Sequence, residues 1–287
     1  MTHKLSISYS FPIRTLSLAL FLACLLASFK AVAQVPRTYI YKTVDTVALS
    51  LDVYIPKGQV SKSQNPAIVF FFGGGWVGGN RAHFQPQAEF FSKRGLVCIT
   101  VSYRIRSLHG TSPIEAIQDA RDAMRWVRAH AYELQVDPNK LIASGGSAGG
   151  HLALATALIP YFDSTTSPPT TSPIPNALIL FNPVVNTTSR GYGVEKVGKD
   201  SLLTSPYHQI VKGVPPTLIF HGTSDQVVPY QNVLDFQARM RAMGNYCYVS
   251  SFEGKTHGFF NKNRGDGLDY LKTLVRSDKF IRLLGYL

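Results

Sequence analysis

The sequence predicts an α/β fold: a mostly parallel sheet of eight strands with helices on both faces. Short apolar runs rich in Val, Ile and Phe alternate with helical patterns along the chain, the order expected of βαβ units. Residues 67–72 (AIVFFF) are apolar at every position, as in a strand covered on both sides. The 287 residues suffice for one such domain with a full core, and the chain shows neither an internal repeat nor an interdomain linker.

Residues 38–43 and 47–55 read as an opening antiparallel pair, and 67–72 as the first buried strand. A helix over 85–94 is stopped by Gly95, and a buried strand follows at 96–103. Residues 113–130 form a helix. Ile117, Ala120, Met124 and Val127 recur at helical spacing and define its core face, Trp126 packs in the core, and Asp119, Arg121 and Arg125 lie off that face. Asp137-Pro138 marks a turn, 140–144 a short strand and 148–158 a helix. Residues 163–175, rich in Ser, Thr and Pro, read as a surface loop. Strands at 177–181, 217–221 and 246–252 and helices at 229–243 and 268–284 complete the pattern. The long irregular segment 182–213 carries a small lid or is a surface excursion.

The first 33 residues are expected to lie outside this domain. Lys4 and Arg14 precede an apolar run at 16–28 (LSLALFLACLLAS), and Ala31-Val32-Ala33 is a small-residue cleavage signal. This is the pattern of a secretory signal peptide cut after Ala33, leaving residues 34–287 as a periplasmic or secreted protein. The run is short for a membrane span, which needs roughly 20 residues. No other stretch is apolar enough to cross a bilayer, so no stable membrane insertion is expected after removal. Loss of Lys4, Arg14 and Lys30 lowers the formal charge from +12 to +9. That basic surface lacks the like-charge blocks and aromatic–basic stripes of a nucleic-acid binder. Cys98 and Cys247 sit in separate apolar strand patterns, and whether they pair is left open by the sequence. No Cys/His spacing suggests a metal, and the oligomeric state is not encoded in any pattern.

The chemistry-bearing motifs fall at strand ends. Gly145-Gly146-Ser147-Ala148-Gly149 stands between a predicted strand and a predicted helix. It resembles the nucleophile elbow of α/β-hydrolases, in which the serine occupies a strained turn and its neighbours must be glycine to avoid collision. The following helix start offers N–H groups to developing negative charge. Phe72-Gly73-Gly74-Gly75-Trp76 follows the first buried strand, where that pattern places further oxyanion donors. The N–H groups of Gly74, Gly75 and Ala148 are therefore the candidate oxyanion hole, and Trp76 a candidate wall of the substrate pocket.

A serine hydroxyl needs a base, and the order along such chains is Ser, acid, His. Asp225, in His221-Gly222-Thr223-Ser224-Asp225, follows a predicted strand, and His257, in Thr256-His257-Gly258-Phe259-Phe260, follows the last one. His257 would accept the Ser147 proton and Asp225 would orient the imidazole. His83, His109, His130 and His208 precede Asp225 and break the order. His151 is expected to pack on its helix, and His221 is too near Asp225 to be the base.

Together the GGGW loop, GGSAGGHLA, HGTSDQVVP and THGFF resemble the hormone-sensitive-lipase-like α/β-hydrolases, in the style of bacterial acetyl esterases grouped with bifunctional acetylxylan and feruloyl esterases. The resemblance implies an exported serine carboxylesterase that removes acetyl-type acyl groups from small-molecule or glycan esters and needs no cofactor. It departs from the family in two ways. Phe72 stands where the family usually has His, which leaves the support of the glycine loop unassigned. Little mature chain precedes the first strand, so no large cap domain is expected and the site should be open. An amide or peptide hydrolase of the same fold (prolyl-peptidase- or formamidase-like) and a catalytically inactive binding module are the alternative readings.

Overall fold

The computed structural model describes residues 35–56, 64–163 and 171–287. The expected signal peptide with its cleavage site, and part of the Ser/Thr/Pro-rich loop, lie outside the described residues. Eight strands are described: β1 (Arg37–Val44), β2 (Val47–Tyr54), β3 (Asn65–Phe71), β4 (Val97–Val101), β5 (Val136–Gly146), β6 (Ala177–Phe181), β7 (Thr217–Gly222) and β8 (Cys247–Phe252). They form one sheet in the order β1-β2-β4-β3-β5-β6-β7-β8. β1 and β2 pair antiparallel, β2 meets β4 antiparallel, and all remaining pairs are parallel.

The continuous apolar strands follow from helices on both faces. Side chains alternate across the sheet. Ala67, Val69 and Phe71 of β3 join the core under α2 (Pro113–Ala129), α3 (Ala148–Leu158) and α4 (Tyr230–Ala242). Ile68 and Phe70 join the opposite core under α1 (Gln85–Ser92) and α5 (Leu268–Leu283). β5 runs longer than 140–144 because its backbone pairs with β3 back to Asn65↔Val136. The ladder shifts register between Asn65 and Ala67, an irregularity that admits Pro138 within the strand.

Helix α2 begins in a capping box: Ser112 Oγ accepts from Ile114 N, and Glu115 accepts from Ser112 N at 2.8 Å. Its apolar face is buried as the spacing predicts, but the charged residues expected off that face are buried too. Asp119 accepts from Lys42 of β1 and from Arg104, each at 2.8 Å. Asp122 accepts from Lys42, and Asp163 binds both Arg121 and Arg125. β1 and the Arg104 segment fold over this side of the helix, and each buried charge is matched by an opposite one, the condition under which burial is tolerated. Trp126 is half-buried rather than core, stacked on His130 with ring centroids 4.0 Å apart and tilted against Tyr39.

Cys98 and Cys247 are both free and buried. They lie on β4 and β8, five strand steps apart in the sheet order, or about 24 Å at the usual spacing. A disulfide needs Cα atoms about 4.4–6.8 Å apart, so these two cannot pair in this fold.

The segment 182–213 is built into the body. Asn182, Val184, Val185, Thr187, Thr204 and Ser205 are buried. Backbone bonds from Asn182 N to Phe220 O, Val184 N to Ser147 O and Tyr207 N to Val185 O fasten it to the sheet edge and to itself. It holds three short helical turns, Val194–Val197, Gly198–Ser201 and Pro206–Gln209, and the first stands beside the glycine loop after β3.

Candidate active site

Ser147, Asp225, His257 and the Gly73–Gly75 loop lie just beyond the C-terminal ends of parallel strands, the edge where open α/β sheets bind ligands. Ser147 follows β5 with φ 55° and ψ −120°, a conformation that non-glycine residues adopt at a cost. The turn is held by bonds from Ser147 N to Phe181 O and from His151 N and Val184 N to Ser147 O. The glycines are required by contact. A Cβ on Gly145 would lie 2.3 Å from Gly149 O, and one on Gly149 would lie 2.1 Å from Phe71 O. The chain thus reverses against its own backbone, leaving the serine hydroxyl pointing away from the sheet.

The structure brings Ser147, His257 and Asp225 together. Ser147 Oγ lies 3.0 Å from His257 Nε2, and His257 Nδ1 donates to Asp225 Oδ2 at 2.7 Å. A proton on Nδ1 leaves Nε2 free to accept from the serine. The other Asp225 oxygen accepts from Val227 N and Val228 N at 2.9 and 3.0 Å. His221, fully buried, donates from Nε2 to Val228 O and lies 3.4 Å from Asp225 Oδ2. Burial would raise the Asp225 pKa. Hydrogen bonds from His221, His257 and Val228 N outweigh it and hold the carboxyl well below the usual range, so it is ionised.

The candidate oxyanion donors face the same space. Gly74 and Gly75 have φ of 127° and 62°, and the Gly74 carbonyl turns away to accept from Val77 N and Gly78 N. Among the described residues, the N–H groups of Gly74, Gly75 and Ala148 donate to no protein acceptor. Phe72, in place of the family's usual His, stacks on Tyr103 at 4.1 Å, and the Tyr103 hydroxyl donates to Phe72 O at 2.7 Å. Support for the glycine loop comes from His83, whose Nδ1 accepts from Gly73 N at 3.4 Å. Its Nε2 donates to Asn261 Oδ1 at 2.6 Å, and Asn261 Nδ2 donates to Gly258 O at 2.8 Å. Gly258 N in turn donates to Asn182 Oδ1, placing Asn182 Nδ2 3.4 Å from His257 Nε2. This chain of bonds joins the loop after β3 to the loop that carries His257.

Ser147, His257, the Gly73–Gly75 loop, His83, Asn182 and Asn261 line a cavity of about 290 Å³ together with Tyr192, Val227 and Phe260. Trp76, the candidate wall residue, does not line this cavity. Its ring is buried, 5.0 Å edge-on from His151 and 5.9 Å from Tyr192, and borders a neighbouring pocket. The indole follows Gly75 with φ 59°, which turns it inward, and Tyr192 takes the wall position. His151 packs as expected: it is buried, Nε2 donates to Thr204 O at 2.7 Å, and burial pushes its pKa down to about 4. His83, Asn182, Asn261 and Tyr192 were not singled out by the motifs. Asn182 sits directly after β6 and Asn261 four residues after His257, both sheet-edge positions. Among the described residues no group of His, Cys, Asp and Glu could hold a metal, and no helix is long and apolar enough to cross a membrane.

Comparison with known proteins places this architecture. The BD-FAE family model matches residues 51–177. Esterase 2 of Thermogutta terrifontis, solved with a tabun adduct, is 45% identical with a TM-score of 0.85, covering 89% of this chain and 97% of that one. Esterase LipC of Mycobacterium tuberculosis is 29% identical over 75% of this chain and 58% of its own. An acetylxylan esterase of Xylanibacter ruminicola is 28% identical over 79% of this chain and 47% of its own. The chain spans about half the length of the curated relatives it matches. It belongs to the α/β-hydrolase esterase family.

Proposed function

We propose that this chain is an exported serine carboxylesterase that hydrolyses short-chain acyl esters, with acetylated carbohydrates among its substrates. The carrying observation is the juxtaposition of Ser147 Oγ with His257 Nε2 at 3.0 Å, of His257 Nδ1 with Asp225 at 2.7 Å, and of unengaged N–H groups on Gly74, Gly75 and Ala148 beside them. Ser147 attacks the ester carbonyl as its proton passes to His257, and the oxyanion receives the three N–H groups. The C–O bond to the alcohol breaks, and His257 returns the proton to the leaving oxygen. Water then attacks the acyl-enzyme, giving its proton to His257, and the acid leaves as Ser147 is reprotonated.

The 290 Å³ cavity favours small acyl groups. Neighbouring structures of the Thermogutta esterase carry propionate and butyrate, and its tabun, paraoxon and sarin adducts are those of an organophosphate-reactive esterase. The acetylxylan esterase among the relatives supports a carbohydrate alcohol. Export rests on the apolar run and cleavage pattern ending at Ala33.

Hydrolysis of 4-nitrophenyl acetate, lost in Ser147→Ala, tests the reaction. A fluorophosphonate adduct on Ser147 separates an esterase from an inactive binding module, and activity persisting unchanged in Ser147→Ala overturns the assignment. Sequencing of the periplasmic or secreted protein should find Gln34 as the N-terminal residue.

A further inference from the structure

A second pocket, of about 320 Å³, adjoins the catalytic cavity, and Gly75 borders both. Two cations line it, Lys196 and Arg106, against one acid, Glu195. The Glu195 side chain is 67% exposed and 3.9 Å from Lys196 Nζ, so water screens that pair. Arg106 makes no ion pair among the described residues. Glu115, one turn into α2, is already engaged by Ser112. The pocket therefore carries positive charge that the protein does not neutralise.

Lys196 is placed with care. Its ammonium donates to the Tyr192 hydroxyl at 2.8 Å and lies over the rings of Tyr192 and Trp76, at 4.4 and 5.9 Å from their centroids. The approach depends on two missing Cβ atoms. One on Gly75 would lie 2.8 Å from Tyr192 Oη and 3.2 Å from Lys196 Nζ, and one on Gly193 would lie 2.8 Å from the Trp76 ring. The ammonium is thus held against the loop that carries the Gly74 and Gly75 N–H groups, with donors left over. Two lining residues, Trp76 and Thr111, also hold a buried polar atom without a partner, Nε1 and Oγ1.

We propose that this pocket is a subsite for a carboxylate carried by the ester, which Lys196 and Arg106 bind while the ester carbonyl lies beside Ser147. The inference rests on the ester hydrolysis proposed above and narrows its substrates to anionic esters, such as those of sugar acids. An ammonium and a guanidinium facing one pocket match a carboxylate in charge and in hydrogen-bond donors. The carboxylate can belong to the acyl or to the alcohol portion, and substrate pairs distinguish the two.

The test compares kcat/KM for two pairs of substrates. 4-Nitrophenyl hemiglutarate against 4-nitrophenyl valerate places the carboxylate on the acyl side. 4-Acetoxybenzoate against its methyl ester places it on the alcohol side. The expected result is a preference for the charged member of one pair, reduced about tenfold in Lys196→Met and in Arg106→Gln, and weakened by salt. The readout is the charged-to-neutral ratio, so a general loss of activity in a variant cancels. No preference in either pair, or a preference that neither variant changes, overturns the subsite. A protein that hydrolyses none of the four esters overturns the esterase reading instead. The subsite is then read by calorimetry of 4-hydroxybenzoate and glutarate binding to Ser147→Ala: binding weakened by adding Lys196→Met supports it, and no binding overturns it.

Discussion

The imidazole of His83 joins the two loops that meet over Ser147: its Nδ1 accepts from Gly73 N at 3.4 Å and its Nε2 donates to Asn261 Oδ1 at 2.6 Å. Only the neutral ring with its proton on Nε2 can do both. His83→Leu removes the acceptor and should lower kcat about tenfold or more with a smaller change in KM, because the glycine N–H groups act on charge that develops in the transition state. His83→Asn restores an acceptor near Nδ1 and should recover part of the loss. Asn261→Leu removes the acceptor that orients the ring from its other side and should lower kcat in the same direction. A kcat within twofold of the parent's in both His83→Leu and Asn261→Leu would show that the link does not act on the loop.

Asp225→Asn keeps the shape of the site but no longer demands a proton on His257 Nδ1. A loss in kcat of about four orders of magnitude is expected from the wrong tautomer. Circular dichroism should show the fold retained. A kcat within tenfold of the parent would remove Asp225 from its proposed role.

The elbow tolerates no side chain at position 149. A Cβ there would lie 2.1 Å from Phe71 O and 2.3 Å from Phe72 O, both backbone atoms of β3 and its following loop. Gly149→Ala should cost about 3 kcal/mol or more in urea unfolding or leave the protein unfolded. Gly78→Ala, with nothing within 4 Å of the new methyl and no positive φ, should stay within about 1 kcal/mol of the parent.

The buried His151 makes acid a destabilising condition. Its folded pKa is pushed down to about 4 by burial, against about 6.5 when unfolded. Between those values the unfolded chain binds the extra proton, so stability rises with pH through this window and is lost as pH falls through it. The whole contribution is about 3 kcal/mol. His151→Gln, which can still donate toward Thr204 O, should flatten the stability profile between these pH values. An unchanged slope would show that the ring is not held neutral.

Strand and helix positions are legible because each buried strand carries a short, mostly apolar run, such as residues 67–71 of β3 and 177–181 of β6, and glycine and proline mark many of the element ends. Ser147, Asp225 and His257 could be grouped because the fold fixes their order and each follows a strand. Which of the two adjoining pockets Trp76 lines was not legible, because its side-chain direction depends on φ 59°, which no local pattern reveals. His83 was set aside by the rule of chain order, which governs the base and not the residues that hold a loop. Asp119, Arg121 and Arg125 were read as lying off the core face because helical period says nothing of what folds over the other side. Here that is Lys42 and Arg104, distant in sequence. Tyr192 and Lys196 come from an irregular segment with no period at all.

Cys98 and Cys247, the thiols among the described residues, offer a built-in clock for opening of the sheet. Burial pushes the Cys98 thiol far up and the Cys247 thiol to about 12, so neither reacts while the strands stay closed. They cannot reach each other, so among the described residues they form no disulfide with one another. A disulfide reagent would be consumed only as fast as each end of the sheet parts. Separate labelling rates at Cys98 and Cys247 would tell whether the antiparallel end beside β2 or the parallel edge at β8 gives way first.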